Sequence, residues 1–231
     1  MVALHQSDWS RATSLQPPGP ARPAPLRPGL RQQRGPPPAV APCSQGRLCV
    51  HRCRMRGTVR QNAGVTVSVV VGNPKPASRT REAATLVAAA LAGRAPDAVI
   101  DVVVLGPGLL GWGDPAVAEA VRTVAASELL VVASPTFKAT YTGLLKLFLD
   151  QFATAEGLAG VVAVPVMLGA GPAHALAPEL LLKPVLVEVG AICPTPGLYL
   201  SDTTYTDDGR IDAFAQRWRP VVAALTARPT G

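Results

Sequence analysis

From Val65 onward, five short apolar runs alternate with five longer helix-like segments, and this alternation constrains the fold more than any other feature. The apolar runs, such as VTVSVVV and LLVVAS, are continuous and rich in β-branched residues, with little alternation of apolar and polar positions. Continuous runs of this kind are typical of strands that are buried on both faces of a parallel sheet. The pattern therefore predicts an α/β domain, a three-layer sandwich with a five-stranded parallel sheet between two layers of helices.

The bounds of these elements can be read from the sequence. The predicted strands are VTVSVVV, AVIDVVVL, LLVVAS, GVVAVPVML and ICPTPGLYL. The predicted helices are SRTREAATLVAAALAG, PAVAEAVRTVAAS, TYTGLLKLFLDQF, AHALAPELLLKPVLVEVG and RIDAFAQRWRPVVAALTA. Gly93 is expected to close the first helix and Asp114 to cap the second, with a kink at Pro184 in the fourth.

Five parallel strands joined by helices fit the flavodoxin-like strand order 2-1-3-4-5. In a sheet of that order, ligands bind beyond the carboxyl ends of the strands, at the switch point beside the first strand. The loops after the first, third and fourth strands are therefore the segments in which a functional site is expected.

Residues 1–63 differ in composition from the remainder of the chain. The stretch QPPGPARPAPLRPGLRQQRGPPPAVAP has neither the period of a strand nor that of a helix, and such sequences bury too little apolar surface to offset chain entropy. We therefore expect residues 1–63 to be a disordered Pro/Arg-rich extension and residues 64–228 to form one folded domain. Three interpretations of the extension are open: an interaction tail, a targeting peptide, and a start site assigned upstream of the true one. The third fits best, because Met55 lies a few residues before the first strand.

The formal charge of +7 at pH 7 originates in this extension. Residues 1–60 carry ten arginines and a single acid, Asp8, which gives a net charge of +9 and leaves about −2 for the remainder. The predicted domain has no basic stripe interleaved with aromatic residues, so nucleic-acid binding by it is not expected. No apolar run reaches the roughly 18 residues that span a bilayer, so no membrane association is expected either.

The cysteines bear on metal binding and on the cellular compartment. Cys43, Cys49 and Cys53 lie in the extension, and with His51 they form the spacing C-x5-C-x-H-x-C. This spacing matches no common zinc site, so no metal site is predicted. Cys193 is expected to be a small core residue. The chain has no even disulfide framework, which favours the reducing cytoplasm.

The first strand is followed by the loop GNPKPASRT. Gly72 permits a sharp turn, Ser78 and Thr80 supply hydroxyl groups, and the helix that follows presents free N–H groups and its positive dipole end. Lys75 and Arg79 add positive charge. These features predict a phosphate-binding loop, although not a Walker A loop, because the GK[ST] ending is absent. The alternative is that Ser78 only caps the helix after a proline-stiffened turn.

The third strand runs into SPTFKATYTG, which places small polar groups and one aromatic ring at the rim of the expected site. Backbone amides and carbonyls there are suited to contacting the edge of a flat ring. The alternative is an ordinary loop with Thr140 as the N-cap of the next helix. The rim residues are Ser134, Pro135, Thr136, Phe137 and Lys138.

The fourth strand is followed by LGAGPAH. Gly169 and Gly171 allow the backbone to approach a ligand closely. His174 begins the next helix, where a structural hydrogen bond is a more common role for histidine than acid–base catalysis.

Together, GNPKPASRT, SPTFKATYTGLLKLFLD and GAGPAHALAPELLLKPVLVEVGA resemble, in order and spacing, segments of the NADPH-dependent FMN reductase family. The nearest branch is the reductases that serve two-component alkanesulfonate monooxygenases, and the resemblance covers roughly residues 65–225. It implies a flavodoxin-like fold, FMN as cofactor or substrate, NADPH or NADH as hydride donor, and a homodimer or homotetramer. A flavin-dependent monooxygenase is an implied partner.

The resemblance also implies roles for individual residues. The FMN phosphate would be bound by Ser78, Arg79 and Thr80, in the loop that begins with Gly72 and Asn73. The ribityl chain and isoalloxazine would be lined by Pro135, Thr136, Phe137 and Lys138. The ring would be flanked on its other side by Gly169, Ala170 and Gly171. No catalytic side chain is expected, because the hydride passes from the nicotinamide to flavin N5.

The chain departs from the family pattern at two positions. Asn73 stands where serine is more frequent, and its amide keeps a hydrogen-bond donor. Leu180 stands where the alkanesulfonate branch carries a tyrosine associated with an inserted turn and with flavin that is released as a substrate. The leucine weakens the expectation that reduced FMN is delivered to a monooxygenase. The alternatives are a flavin-retaining NAD(P)H reductase of quinones, azo dyes or metal oxyanions, a flavodoxin-type electron carrier, and a non-enzymatic binding module.

Overall fold

The computed structural model describes residues 65–227. The predictions for residues 1–63, including disorder, the alternative start at Met55 and the absence of a metal site at the clustered cysteines, lie outside the described residues. Within residues 65–227, no helix is long and apolar enough to cross a membrane.

A five-stranded, all-parallel sheet has the order β2-β1-β3-β4-β5, which confirms the predicted topology. The strands are β1 Val67–Val71, β2 Ala98–Asp101, β3 Leu129–Pro135, β4 Val162–Gly169 and β5 Leu198–Ser201. β1 lies between β2 and β3, with Val69 opposite Val99 on one side and Val131 on the other.

Helices cover both faces of the sheet. They are α1 Arg79–Ala92, α2 Pro115–Ala125, α3 Gly143–Leu149, α4 Lys183–Glu188 and α5 Arg210–Thr226. Helices α1 and α5 pack on one face against Val69 and Val131, and α2, α3 and α4 pack on the other against Val70 and Val132. Successive strand residues therefore enter two different apolar cores, which explains why the strand sequences are continuously apolar.

The predicted helix caps at the first two helices are confirmed. Ser78 accepts a hydrogen bond from Arg81 N–H at the start of α1, and Gly93 ends that helix in the left-handed conformation with φ of 76°. The Asp114 carboxylate accepts from Ala116 N–H at 2.9 Å and from the following amide at 3.0 Å. Cys193 is partly buried against the core, and burial raises the pKa of its thiol to about 11.

The second strand is shorter than predicted. AVIDVVVL was expected to be extended throughout, but β2 ends at Asp101 and 3-10 turns follow over Val102–Leu110. Among residues 65–227, β2 is an edge strand that pairs only with β1, and beyond the pair Val71–Asp101 the chain of β1 turns away. Gly72 then donates to Ala133 on β3, so a longer β2 would have no backbone partner.

The fourth predicted helix is divided into three segments. A 3-10 turn covers Pro172–His174, a π-helical turn covers Pro178–Leu182, and α4 follows. The widened turn, in which Lys183 N–H bonds to the Pro178 carbonyl, lies immediately before Pro184, which has no N–H to donate. The irregularity expected at Pro184 is thus a wide turn on its N-terminal side.

The fifth strand is also shorter than ICPTPGLYL. It begins at Leu198, and Ile192 forms only an isolated bridge with Val162. Pro194 and Pro196 lie between them and cannot donate to a strand ladder.

Candidate functional site

The loops after β1, β3 and β4 meet in one cavity of about 480 Å³ at the carboxyl edge of the sheet. Nine of the twelve residues predicted for the site line it. They are Asn73, Ser78, Arg79, Thr80, Pro135, Thr136, Phe137, Gly169 and Ala170. The wall also includes Lys75, Ala77, Leu168 and Asp202, of which Ala77, Leu168 and Asp202 were not predicted.

The first loop presents hydroxyl and amide donors at the N-terminus of α1. The Asn73 amide donates from Nδ2 to Thr80 Oγ1 at 2.9 Å, and its Oδ1 accepts from Lys75 N–H at 2.9 Å. Ser78 and Thr80 are both buried. Because the first-turn N–H groups of a helix have no acceptor within the helix, this end of α1 is suited to an anion.

Asp101 supports this loop from the end of β2. Its buried carboxylate accepts from Ala77 N–H at 3.3 Å and from Arg81 Nη1 at 3.0 Å. Ala77 has a φ of 49°, a left-handed conformation that is uncommon for alanine. The carboxylate therefore holds the loop in a conformation that its sequence does not favour by itself.

Gly72 was predicted to bind the cofactor, but it does not line the cavity. A β-carbon at this position would lie 2.4 Å from Leu145 Cβ, so α3 packs directly on the glycine. The Gly72 carbonyl accepts from Thr142 Oγ1 at 2.5 Å, and Thr142 rather than Thr140 is the N-cap of α3. The contact joins the first loop to the second.

The second loop forms a tight two-residue turn. Phe137 and Thr140 exchange backbone hydrogen bonds of 2.9 and 3.2 Å, and Lys138 and Ala139 between them have φ of 51° and 69°. Phe137 lines the cavity with half of its surface exposed, whereas Lys138 lies at the tip of the turn and lines no described cavity near the site.

Thr136 contributes a buried hydroxyl that lacks a partner. Its backbone N–H donates to the Leu168 carbonyl at 2.6 Å, which fixes the residue between the second and third loops. Its Oγ1 is buried and makes no hydrogen bond among residues 65–227. A buried hydroxyl on a cavity wall is a group that a polar ligand atom can satisfy.

The third loop, which follows β4, contacts Tyr199 of β5. The tyrosine hydroxyl donates to the Gly171 carbonyl at 2.7 Å, and a β-carbon on Gly169 would lie 2.0 Å from that hydroxyl. Gly171 lines an adjoining cavity of about 600 Å³ together with His174 and Tyr199. The two cavities share Thr136, Gly169 and Ala170, so they form one continuous recess.

The wide turn over Pro178–Leu182 lies beside this recess. Leu180 and Leu181 line a third cavity with Ala173 and His174, which also border the second. Glu179 holds the turn by accepting from Gly197 N–H at 2.6 Å and from Lys183 Nζ at 2.8 Å. A wide turn is therefore present around Leu180, and the interpretation that this leucine weakens delivery of reduced FMN to a monooxygenase stays a prediction.

Three functional candidates were missed because they come from edge strands. Asp101, Tyr199 and Asp202 follow or lie in β2 and β5, whose ends were not predicted to border the site. The rule that ligands lie beyond the carboxyl ends of strands applies to β5 as well and would have indicated Asp202.

The sequence profile of the family described as NADPH-dependent FMN reductase matches residues 65–206. An FMN reductase (NADPH) from Pseudomonas putida is 33% identical over 109 residues, which cover 46% of this chain and 51% of the relative. An FMN reductase (NADPH) from Escherichia coli is 34% identical over 96 residues, covering 42% and 50% respectively. The chain thus spans about half the length of these curated relatives.

A solved structure is similar over most of its own length. The apo form of an NADH:FMN oxidoreductase aligns with a TM-score of 0.63 and 28% sequence identity, over 72% of this chain and 92% of that one.

Proposed function

This chain belongs to the NADPH-dependent FMN reductase family, and on that premise we propose that it catalyses the reduction of FMN by NADPH or NADH. One observation carries the proposal: the loops after β1, β3 and β4 line a single cavity at the switch point of the sheet. Nine of the twelve residues predicted for the site lie on its walls.

The residues present fit the phosphate of FMN. Ser78 and Thr80 supply hydroxyl groups, Arg79 supplies a guanidinium, and the first turn of α1 supplies free N–H groups. Asn73 orients the Thr80 hydroxyl through its 2.9 Å hydrogen bond. We assign the phosphate to this end of the cavity.

The remaining wall fits a polar chain attached to a flat ring. The unpartnered Thr136 hydroxyl suits a ribityl hydroxyl, and Pro135 and Phe137 offer apolar surface on one side. Gly169 and Ala170 offer backbone without bulky side chains on the other. When bound, FMN supplies the hydride acceptor at N5; the chain orients the ring and excludes water, and no side chain is assigned a proton transfer.

Two further features of the proposal concern assembly and partners. We propose a homodimer or homotetramer, supported by the exposure of Val104, Leu110 and Trp112, each more than 70% accessible, on one segment after β2. We also propose that reduced FMN passes to a flavin-dependent monooxygenase in the cytoplasm, which requires that the flavin exchange freely.

NADPH oxidation by the purified full chain tests the activity, with and without added FMN, together with the visible absorbance of the protein as isolated. Turnover that requires and scales with free FMN supports the proposal. A yellow protein that oxidises NADPH only when a quinone or azo dye is supplied supports the flavin-retaining alternative. Absence of flavin binding and of NADPH oxidation under both conditions overturns the enzymatic assignment.

A further inference from the structure

A carboxylate lies in the wall of the cavity where the FMN phosphate is proposed to bind. Asp202 follows β5 directly, and its backbone N–H donates to the Gly169 carbonyl at 3.1 Å, which fixes it beside the end of β4. Arg79 reaches it from α1: Nη1 donates to the Asp202 carbonyl at 2.8 Å, and Nη2 lies 3.4 Å from Oδ2.

The charge of Asp202 is incompletely satisfied. Its second oxygen, Oδ1, is buried and has no hydrogen-bond partner among residues 65–227. The ion pair with Arg79 is long at 3.4 Å, and the side chain of Arg79 is 61% exposed while that of Asp202 is 28% exposed. The carboxylate therefore adds negative charge to a cavity whose other charged wall residues, Lys75 and Arg79, are basic.

A phosphate entering this cavity meets two obstacles. It must share Arg79 with a carboxylate that already contacts it, and it must lie near a group of like charge. Arg81 does not replace Arg79, because Asp101 holds its guanidinium at 3.0 Å behind the loop. Both obstacles are electrostatic and therefore act on the charged phosphate more than on the neutral flavin ring.

Resting on the proposed function, we infer that Asp202 is a specificity-determining residue that weakens binding of the flavin phosphate and so keeps FMN exchangeable. The residue makes FMN behave as a substrate that enters and leaves, because it lowers the advantage that the phosphate group confers over riboflavin.

Asp202→Asn tests this inference, since the change removes the charge and preserves the shape. Dissociation constants of FMN and riboflavin are measured for the full chain by quenching of flavin fluorescence. We expect FMN to bind about threefold to tenfold more tightly to the variant at low ionic strength, with riboflavin unchanged. The gain should shrink as salt is added.

Asp207→Asn is the matched control, because it makes the same charge change in the same loop but does not line the cavity. Its FMN affinity should equal that of the unmodified chain. Equal or weaker FMN binding to Asp202→Asn overturns the inference, as does an equal change in the affinities of FMN and riboflavin. If the unmodified chain binds neither flavin, the proposed function fails, and the inference fails with it.

Discussion

At Gly169 the backbone passes so close to Tyr199 that a side chain has no space. A β-carbon there would lie 2.0 Å from the tyrosine hydroxyl and 3.3 Å from Thr136 Oγ1. Gly169→Ala should therefore displace Tyr199, disturb its hydrogen bond to Gly171, and lower FMN affinity at least about tenfold. Overpacking should also lower the free energy of unfolding by about 1–3 kcal/mol.

Gly143→Ala is the control for that change. Among the residues that the structure describes, no neighbouring atom is found within 4 Å of a β-carbon at Gly143, and the residue begins α3, so alanine is readily accommodated. Chemical denaturation and flavin titration of both variants check the prediction. Unchanged FMN affinity in Gly169→Ala would show that the third loop does not border the flavin.

The role of a site residue could be predicted from the sequence where it depends only on residues nearby in the chain. Ser78 could be identified because a serine before a helix serves as its cap whatever the rest of the fold does. The packing of α3 on Gly72 could not be predicted, because the residue it meets, Leu145, lies far along the chain. Asp202 was missed because its relation to Arg79 spans 123 residues and depends on the order of the strands.

At the level of elements, the turn after β3 has a sequence that opposes its conformation. Lys138 and Ala139 both have positive φ, as in turns that usually contain Asn-Gly. Ala139→Gly should stabilise the fold by up to about 1 kcal/mol, because glycine adopts this conformation without the strain that a β-carbon causes.

The opposite result is expected for the same substitution in a helix. Ala89 lies inside α1, and Ala89→Gly should lower stability by about 1 kcal/mol. Urea unfolding of the two variants measures both effects. If Ala139→Gly lowers stability as much as Ala89→Gly does, the conformation of Ala139 in the turn is not strained.

The wide turn before α4 is held by a carboxylate whose protonation should release it. The hydrogen bond from Lys183 lowers the pKa of Glu179 below its ordinary value of 4.5, and Gly197 N–H lowers it further. A carboxyl group with a depressed folded-state pKa stabilises the fold above its unfolded pKa, and this stability is lost as pH falls.

Glu179→Gln should therefore unfold at a lower temperature than the unmodified chain at neutral pH. The difference should decline as pH falls below 4.5 and be lost as pH falls through the depressed pKa of folded Glu179. Glu119→Gln removes a carboxylate from an exposed ion pair with Arg122 and should shift the midpoint little at any pH. A difference between Glu179→Gln and the unmodified chain that does not vary with pH would exclude this role.

The strands show which element bounds can be predicted from sequence patterns alone. The central strands were located closely because buried β-branched runs have few alternative structures. The edge strands β2 and β5 were predicted too long because an apolar run does not reveal whether a neighbouring strand is present to pair with it. Pairing is a property of the assembled sheet.

For the molecule as a whole, the proposed flavin binding should be coupled to the folding equilibrium. FMN that binds only the folded chain should stabilise it by about 2.7 kcal/mol at one hundred times the dissociation constant. For a domain of this size, that corresponds to a rise in unfolding temperature of roughly 5–10 °C. Thermal unfolding with increasing FMN measures the effect.

Riboflavin provides the comparison, since it has the ring and ribityl chain but no phosphate. It should raise the unfolding temperature less than FMN at equal concentration, because it cannot use Ser78, Arg79 and the N-terminus of α1. Equal rises in unfolding temperature with FMN and riboflavin would show that the phosphate does not bind at Ser78, Arg79 and the N-terminus of α1. No shift with either compound would exclude flavin binding to this chain.

The strands beside the cavity differ in length, and we expect them to open at different rates. β3 and β4 have seven and eight residues, whereas β2 and β5 have four each and, within the part of the chain that the structure describes, pair on one side only. Amide protons of the central strands should exchange with solvent only through global unfolding, while those of β5 exchange through local opening. Asp202, directly after β5, is thus expected to lie in the part that opens first, and local opening there would let a bound flavin leave while the central sheet stays intact.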